Sequence, residues 1–246
     1  MARKALEIGG MVAAAILVAF GVVTLVLSMN GHNTVGSTLK NQQIVGTGDM
    51  TTQNIAPEVQ AVVTQQNALV KKFKAVGVTF TPSKVTAPGC SVAGKPVDSG
   101  DSAHCFADYM FIHAMGGTNG LVYSQMGRYL AKPDTPFKYT DGNGGISPTA
   151  SAAIISKYAQ TDAKTGQPVA NDTRNLWIDQ IALSTALNAS YMADQISLFG
   201  VVVGVALLLS GVGFGILAIG GALRNPGTAF GWLRKKEAGA ASAPSA

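Results

Sequence analysis

The densest run of reactive side chains in this 246-residue chain is Gly100-Asp-Ser-Ala-His-Cys105, with Asp108 and His113 following it. Asp101, Ser102 and His104 are the residue types of a hydrolytic nucleophile, its base and the carboxylate that orients the base. The same stretch also offers metal ligands. On a helix, Asp101, His104 and Asp108 fall at i, i+3 and i+7 and share one face. Imidazole and carboxylate both bind zinc, provided at least three ligands converge and an outer shell orients them. His113, nine residues beyond His104, faces the other side of such a helix. A third reading needs no reactivity: Asp101 or Ser102 caps the helix and His104 sits at its surface. This plain reading is preferred. No catalytic residue, metal ligand or cofactor is therefore expected, and an enzyme with a site around Asp101–His113 stands as an alternative.

Gly100-Asp-Ser102 resembles the nucleophile block of the GDS-type esterases, and Asp101-Ser-Ala-His104 matches their D-x-x-H pattern. That resemblance implies an α/β fold in which two blocks far apart in sequence meet. Here one tetrapeptide serves both, no strand precedes it, and no later D-x-x-H follows. Gly142-Asn-Gly-Gly145 has neither a phosphate-loop lysine nor G-x-G-x-x-G spacing. Asn171-Asp-Thr173 and Asn188-Ala-Ser190 match the short N-glycosylation pattern, and His32 stands apart from the other two histidines.

The elements that position these groups are set by two uncharged apolar runs, Ile8–Met29 and Ile196–Leu223, with 166 residues between them. At a helical rise of 1.5 Å per residue the first is about 33 Å long and the second about 42 Å, enough to cross a hydrocarbon core. Arg3 and Lys4 also suit a signal peptide, but the run exceeds an ordinary h-region and an uncleaved anchor is expected. The flanks, residues 1–7 and 224–246, carry a net +4, against +1 for residues 30–195. The positive-inside rule then puts both termini in the cytoplasm and residues 30–195 outside the cytoplasmic membrane. Lipid, rather than nucleic acid, accounts for the basic tails. Cys90 and Cys105, the only cysteines, fall on the oxidising side. A disulfide between them would be worth about 3 kcal/mol in the chain-entropy model.

Within residues 30–195, Asn30–Met50 reads as a linker rich in Gly, Asn and Thr. Asn54 reads as the cap of a helix reaching Ala75, with Val59, Val62, Val63, Leu69, Val70 and Phe73 on its apolar face. Pro- and Gly-rich Gly77–Ser102 reads as a loop, followed by helices near Ser102–Met115 and Leu121–Ala131. After the turn-rich stretch Lys132–Gly145 another helix is expected near Pro148–Ala159, capped by Ser147. Asn171–Ala193 carries no breaker before the second run and can join it as one helix. The expected fold is all-α: two transmembrane helices flanking a mainly helical extracytoplasmic domain with one disulfide. The Ala/Ser/Pro stretch Ala238–Ala246 has the composition of a disordered tail.

Gly200, Gly204, Gly211, Gly215, Ala218 and Ala222 fall within an arc of about 60° on the second run. Gly10, Ala14, Gly21 and Ser28 share a narrower stripe on the first, interrupted by Leu17. Small residues let helices approach closely in lipid. Such a face serves the chain's own two spans, a second copy or another membrane protein, or reflects only the abundance of glycine in membrane helices. The Met-Ala-Arg-Lys start, the opening span and Asn175-Leu-Trp177…Gln180…Thr185 before the second span resemble a group of actinobacterial two-span membrane proteins. Those proteins often carry the label aromatic ring-opening dioxygenase. Iron in such enzymes is held by two histidines and a carboxylate, a set that His32, His104 and His113 do not suggest. The resemblance implies a membrane location and no activity. The expected function is a non-enzymatic envelope protein associating with a membrane protein partner or another copy of itself. Tails this short favour a scaffold or accessory subunit over a complete receptor. A small-molecule-binding domain with a pocket lined by Tyr109, Tyr123 and Tyr129 is the alternative.

Overall fold

Two apolar helices dominate the computed structural model, which describes residues 2–220. They are α1 (Ala2–Asn41) and α5 (Asn175–Ile219). Between them lie α2 (Thr52–Ala75), α3 (Gly100–Gly117) and α4 (Ala152–Tyr158), with 3₁₀ turns at Tyr123–Gln125, Phe137–Tyr139 and Asp172–Arg174. Among the described residues there is no strand, only isolated bridges such as Leu130 with Gly145 and Thr161 with Pro168. The chain divides into two units, one built from the residues up to Thr34 and from Ala193 onward, the other from Val35–Met192.

In the first unit α1 and α5 are long and apolar enough to cross a membrane. They run antiparallel, with Ser28 beside Gly200, Gly21 beside Gly204 and Leu208, and Val18 beside Gly211. A Cβ on Gly211 would meet the Val18 nitrogen at 2.9 Å and the Ala14 carbonyl at 3.0 Å, so only glycine permits this approach of the two backbones. A Cβ on Gly215 would stand 3.7 Å from that of Ala14, and Ala218 is fully buried. Gly200, Gly204, Gly211 and Gly215 of the small-residue stripe thus face the chain's own first helix. Near the other end, His32 Nδ1 lies 2.5 Å from Asp194 Oδ1, and the Ser197 hydroxyl donates to the Ala193 carbonyl. Ala222, Leu223 and the basic tail lie outside the described residues.

The second unit is assembled around α2 and α3. Ile55, Val62, Leu69 and Phe73 recur at helical spacing and are buried. Gln66 lies buried in the same stripe because its Nε2 donates to the Gly120 carbonyl at 2.9 Å. α3 contributes Phe106, Tyr109, Ile112 and Met115, and the start of α5 contributes Trp177 and Leu187. The Cys90 and Cys105 sulfurs are 2.10 Å apart, at disulfide distance, tying the loop before α3 to its second turn. A smaller cluster of Ala131, Ile146 and Ala159 backs the loop-rich stretch. There Asp141 is buried and accepts the backbone N–H groups of Gly127, Asn143 and Gly145.

Several local expectations are corrected. Asn30–Met50 is helical as far as Asn41, because Leu39 is buried in the core and this packing outweighs the poor propensity of the Gly/Asn/Thr sequence. Thr51, not Asn54, caps α2, accepting the Asn54 N–H at 3.0 Å. In place of a helix over Leu121–Ala131 there is only the turn Tyr123–Gln125. Gly120 has a φ of +76°, and Gly127 lies so close to Ile146 that a Cβ would overlap its carbonyl. α4 starts later than expected and is capped by Ser151, while the Ser147 N–H donates to Tyr139. α5, by contrast, runs unbroken from Asn175 to Ile219.

Candidate functional site

The expected reactive run lies on α3, and the fold separates its members. Ser99 is the N-cap of α3, and Ser102 completes a capping box with it. The Ser102 hydroxyl donates to the Ser99 carbonyl at 2.9 Å and accepts the N–H groups of Asp98 and Ser99. The N-cap is thus Ser99, with Ser102 as its N3 partner, which corrects the assignment of the cap to Asp101 or Ser102. Asp101 is exposed in the first turn and lines, with Ser102, Lys95 and Asp98, a hollow of about 430 Å³ beside the disulfide. His104 points elsewhere. Its Nδ1 lies 2.7 Å from Asn188 Oδ1, its ring stacks on Tyr191 at 4.8 Å, and Asp108 is 3.9 Å from Nε2.

His113 lies apart from His104, as the helical period requires, and there it meets two carboxylates that the sequence does not place nearby. Its Nδ1 is 3.0 Å from Glu58 Oε2 on α2, and its Nε2 is 3.3 Å from Asp49 Oδ2 in the turn before α2. One ligand atom from each of the three lies within 4.8 Å of the others. Each residue is held by its own element. The Thr47 hydroxyl donates to Asp49 Oδ1 at 2.5 Å, and the Asn54 amide holds the Gly48 carbonyl. The Thr47 hydrogen bond holds the Asp49 carboxyl below its ordinary value; partial burial opposes this, and the turn's backbone and His113 add to it. Glu58 reaches His113 because Gly116, one turn further along α3, has no side chain. A Cβ there would stand within 2.4 Å of Glu58 Oε1. Nothing local marks this trio; it exists because α2 packs on α3.

The three tyrosines named from sequence do not line one pocket. Tyr109 is fully buried, its hydroxyl donating to the Cys90 carbonyl at 2.7 Å, and burial pushes its pKa up. Tyr123 lies under the Arg174 guanidinium at 3.7 Å, and Tyr129 packs against the small cluster around Ile146. Of the three, only Tyr123 lines either of two further concavities. A groove of about 620 Å³ runs along α5 from Trp177 to Asn188, with Phe111, Tyr123, Ile181 and Ser184 in its lining. A hollow of about 270 Å³ is lined by Phe73 and Phe80 with Thr79, Ser124, Gln125 and Ser147. Comparison with known family models, with characterised proteins and with solved structures finds no match to this chain.

Proposed function

We propose that the chain is a two-pass membrane protein that presents the Val35–Met192 domain at the outer face of the cytoplasmic membrane, where the domain acts by associating with another membrane protein. The observation that carries this reading is the outward face of the two apolar helices. Phe20, Leu27, Phe199, Val202, Leu209 and Ile219 are all more than 60% exposed. In water such residues would form an apolar surface far beyond the few hundred Å² that soluble monomers tolerate; in hydrocarbon the surface carries no such cost. The antiparallel pairing suits a chain whose basic flanks both stay inside. The disulfide suits a domain in an oxidising compartment. With the described part of the glycine stripe committed to α1, association falls to the domain. Its α5 groove, with an apolar floor, Ser184 and Asn188 in its wall, and Leu176, Ile178 and Ile181 exposed on the same helix, has the character of a helix-binding surface.

The test is purification of the tagged full chain in mild detergent, with mass measurement of the particle and identification of what accompanies it. A stoichiometric partner retained by the wild type and lost from Ile181→Glu is expected. A bare monomer overturns the association, and a particle containing only this chain transfers it to self-assembly. Reporter fusions at residue 120 and at the C-terminus test the orientation; activity of a cytoplasmic reporter at residue 120 overturns it. The hollow lined by Phe73 and Phe80 favours a second reading, a small apolar ligand with a few polar groups. A compound that raises the melting temperature of the wild type but not of Phe80→Ala would support it.

A further inference from the structure

We propose that Asp49, Glu58 and His113 form a binding site for a divalent first-row transition-metal ion, with Asp49 Oδ2 and His113 Nε2 as direct ligands and Glu58 as the positioning residue. With its proton on Nδ1, facing Glu58 Oε2 at 3.0 Å, the imidazole keeps the Nε2 lone pair free. Nε2 then stands 3.3 Å from Oδ2 of the Asp49 carboxylate. An unprotonated Nε2 and a carboxylate at that distance repel one another, and a metal ion between them, or a proton on Nε2, relieves this. Zinc bonds of about 2.0–2.1 Å at tetrahedral angles put neighbouring ligand atoms about 3.3 Å apart, which is the separation observed. The outer shell has the form that metal sites use, a carboxylate behind the histidine and a hydrogen bond behind the ligating carboxylate. Here Glu58 serves the imidazole, while the Thr47 hydroxyl occupies Oδ1 of Asp49 and leaves Oδ2 for the ion. The space at Gly116 lets Glu58 adopt its position. The disulfide, the Thr51 cap and the packing of α2 on α3 hold the three segments together before any ion arrives. Water completes the shell, since all three side chains are part-exposed.

The full chain in detergent is titrated with Zn²⁺ by calorimetry and with Co²⁺ by visible absorption. Uptake of a single ion per chain is expected, with a ligand-field band for Co²⁺. His113→Gln and Asp49→Asn each weaken Zn²⁺ binding at least tenfold. Glu58→Gln weakens it by about ten- to a hundredfold and Glu58→Asp restores part of the loss. His104→Gln and His32→Gln leave it unchanged. Asp49 stands on a part-exposed turn, so Asp49→Asn keeps the test valid if His113→Gln does not fold. No uptake by the wild type means that a proton alone bridges the gap and overturns the site. Equal binding by the wild type, His113→Gln and Asp49→Asn, or a loss that follows His104→Gln, also overturns it.

Discussion

The helix pair and the Val35–Met192 domain achieve close packing by opposite means. In the pair, contact is made where side chains are missing: Gly21, Gly204 and Gly211 let the backbones approach with Leu208, Leu25 and Val18 packed on them, while Phe20, Leu27, Phe199 and Leu209 point away. In the domain, contact is made by filling space, with Tyr109, Ile112, Met115 and Leu121 almost wholly buried. The solvent explains the difference. Water drives large apolar side chains inward. A bilayer gives them no reason to leave its hydrocarbon, so helices associate there by shape. Enlarging a residue should therefore damage the pair, and shrinking one should damage the domain.

The largest expected effect is in the domain, at Trp177. Its indole is buried, donates Nε1–H to the Leu121 carbonyl at 2.8 Å and meets the Phe111 ring edge-on at 5.5 Å. Trp177→Ala leaves a cavity and removes one of the two hydrogen bonds to that carbonyl, the Thr118 hydroxyl keeping the other, and about 3–5 kcal/mol of stability is lost. Urea unfolding of the full chain, followed by loss of tertiary signal, measures this. The helix pair supplies the control. A Cβ on Gly200 would be 3.2 Å from that of Ser28, so cysteines at both positions should crosslink on oxidation. If that crosslink disappears in Trp177→Ala, the pair's packing depends on the domain core and the contrast fails.

The reverse experiment enlarges a glycine. Gly211→Leu drives a side chain into the Val18 and Ala14 backbone, whereas Gly213 has nothing within 4 Å of its Cβ position. Gly211→Leu should cost about 1–3 kcal/mol as overpacking and abolish the Ser28–Gly200 crosslink. Gly213→Leu should keep the crosslink, and neither should move the urea midpoint of the domain. Equal behaviour of the two variants would mean that the glycines are present for composition alone.

How much of this was readable from sequence follows the same division. The apolar runs, the small-residue periodicity and the two cysteines are local or periodic signals, and the long helices and the sulfur pair match them. Helix α3 was legible from its apolar residues, but its cap was assigned two to three residues late because Ser99, Asp101 and Ser102 are all competent caps. The failures lie where tertiary contacts decide. Leu39 keeps α1 helical through an unpromising sequence, and Gly127 gives up a helix so that Ile146 can approach. The Asp49–Glu58–His113 trio was invisible because its members come from a turn and two helices, while the conspicuous Asp101–His104 run became a cap and a surface stack.

The smallest expected effect lies at the domain's wettest turn, and it bounds the contrast from the side of water. The Asp162 carboxylate accepts the N–H groups of Thr165 and Lys164 at 2.8 and 2.9 Å and the Thr165 hydroxyl at 3.1 Å. These bonds favour the ionised form, so its pKa lies below the ordinary 3.8. For a lowered carboxylate, the stabilisation is fully present above the ordinary value and is lost as pH falls through the lowered one. The turn Asp162–Gly166 should therefore persist from neutral pH down to 3.8 and open only below it. Amide resonances of Lys164 and Thr165, followed on acidification, measure this directly. Asp162→Asn should remove the titration while the fluorescence of Trp177, read in a Trp232→Phe background, stays unchanged as a reporter of the core. A transition at Thr165 well above 3.8 would show that the carboxylate is not held by these bonds. A simultaneous change at Trp177 would show that even the exposed turns of the domain are coupled to its filled core, a dependence that Gly211 and Gly213 let one look for separately in the helix pair.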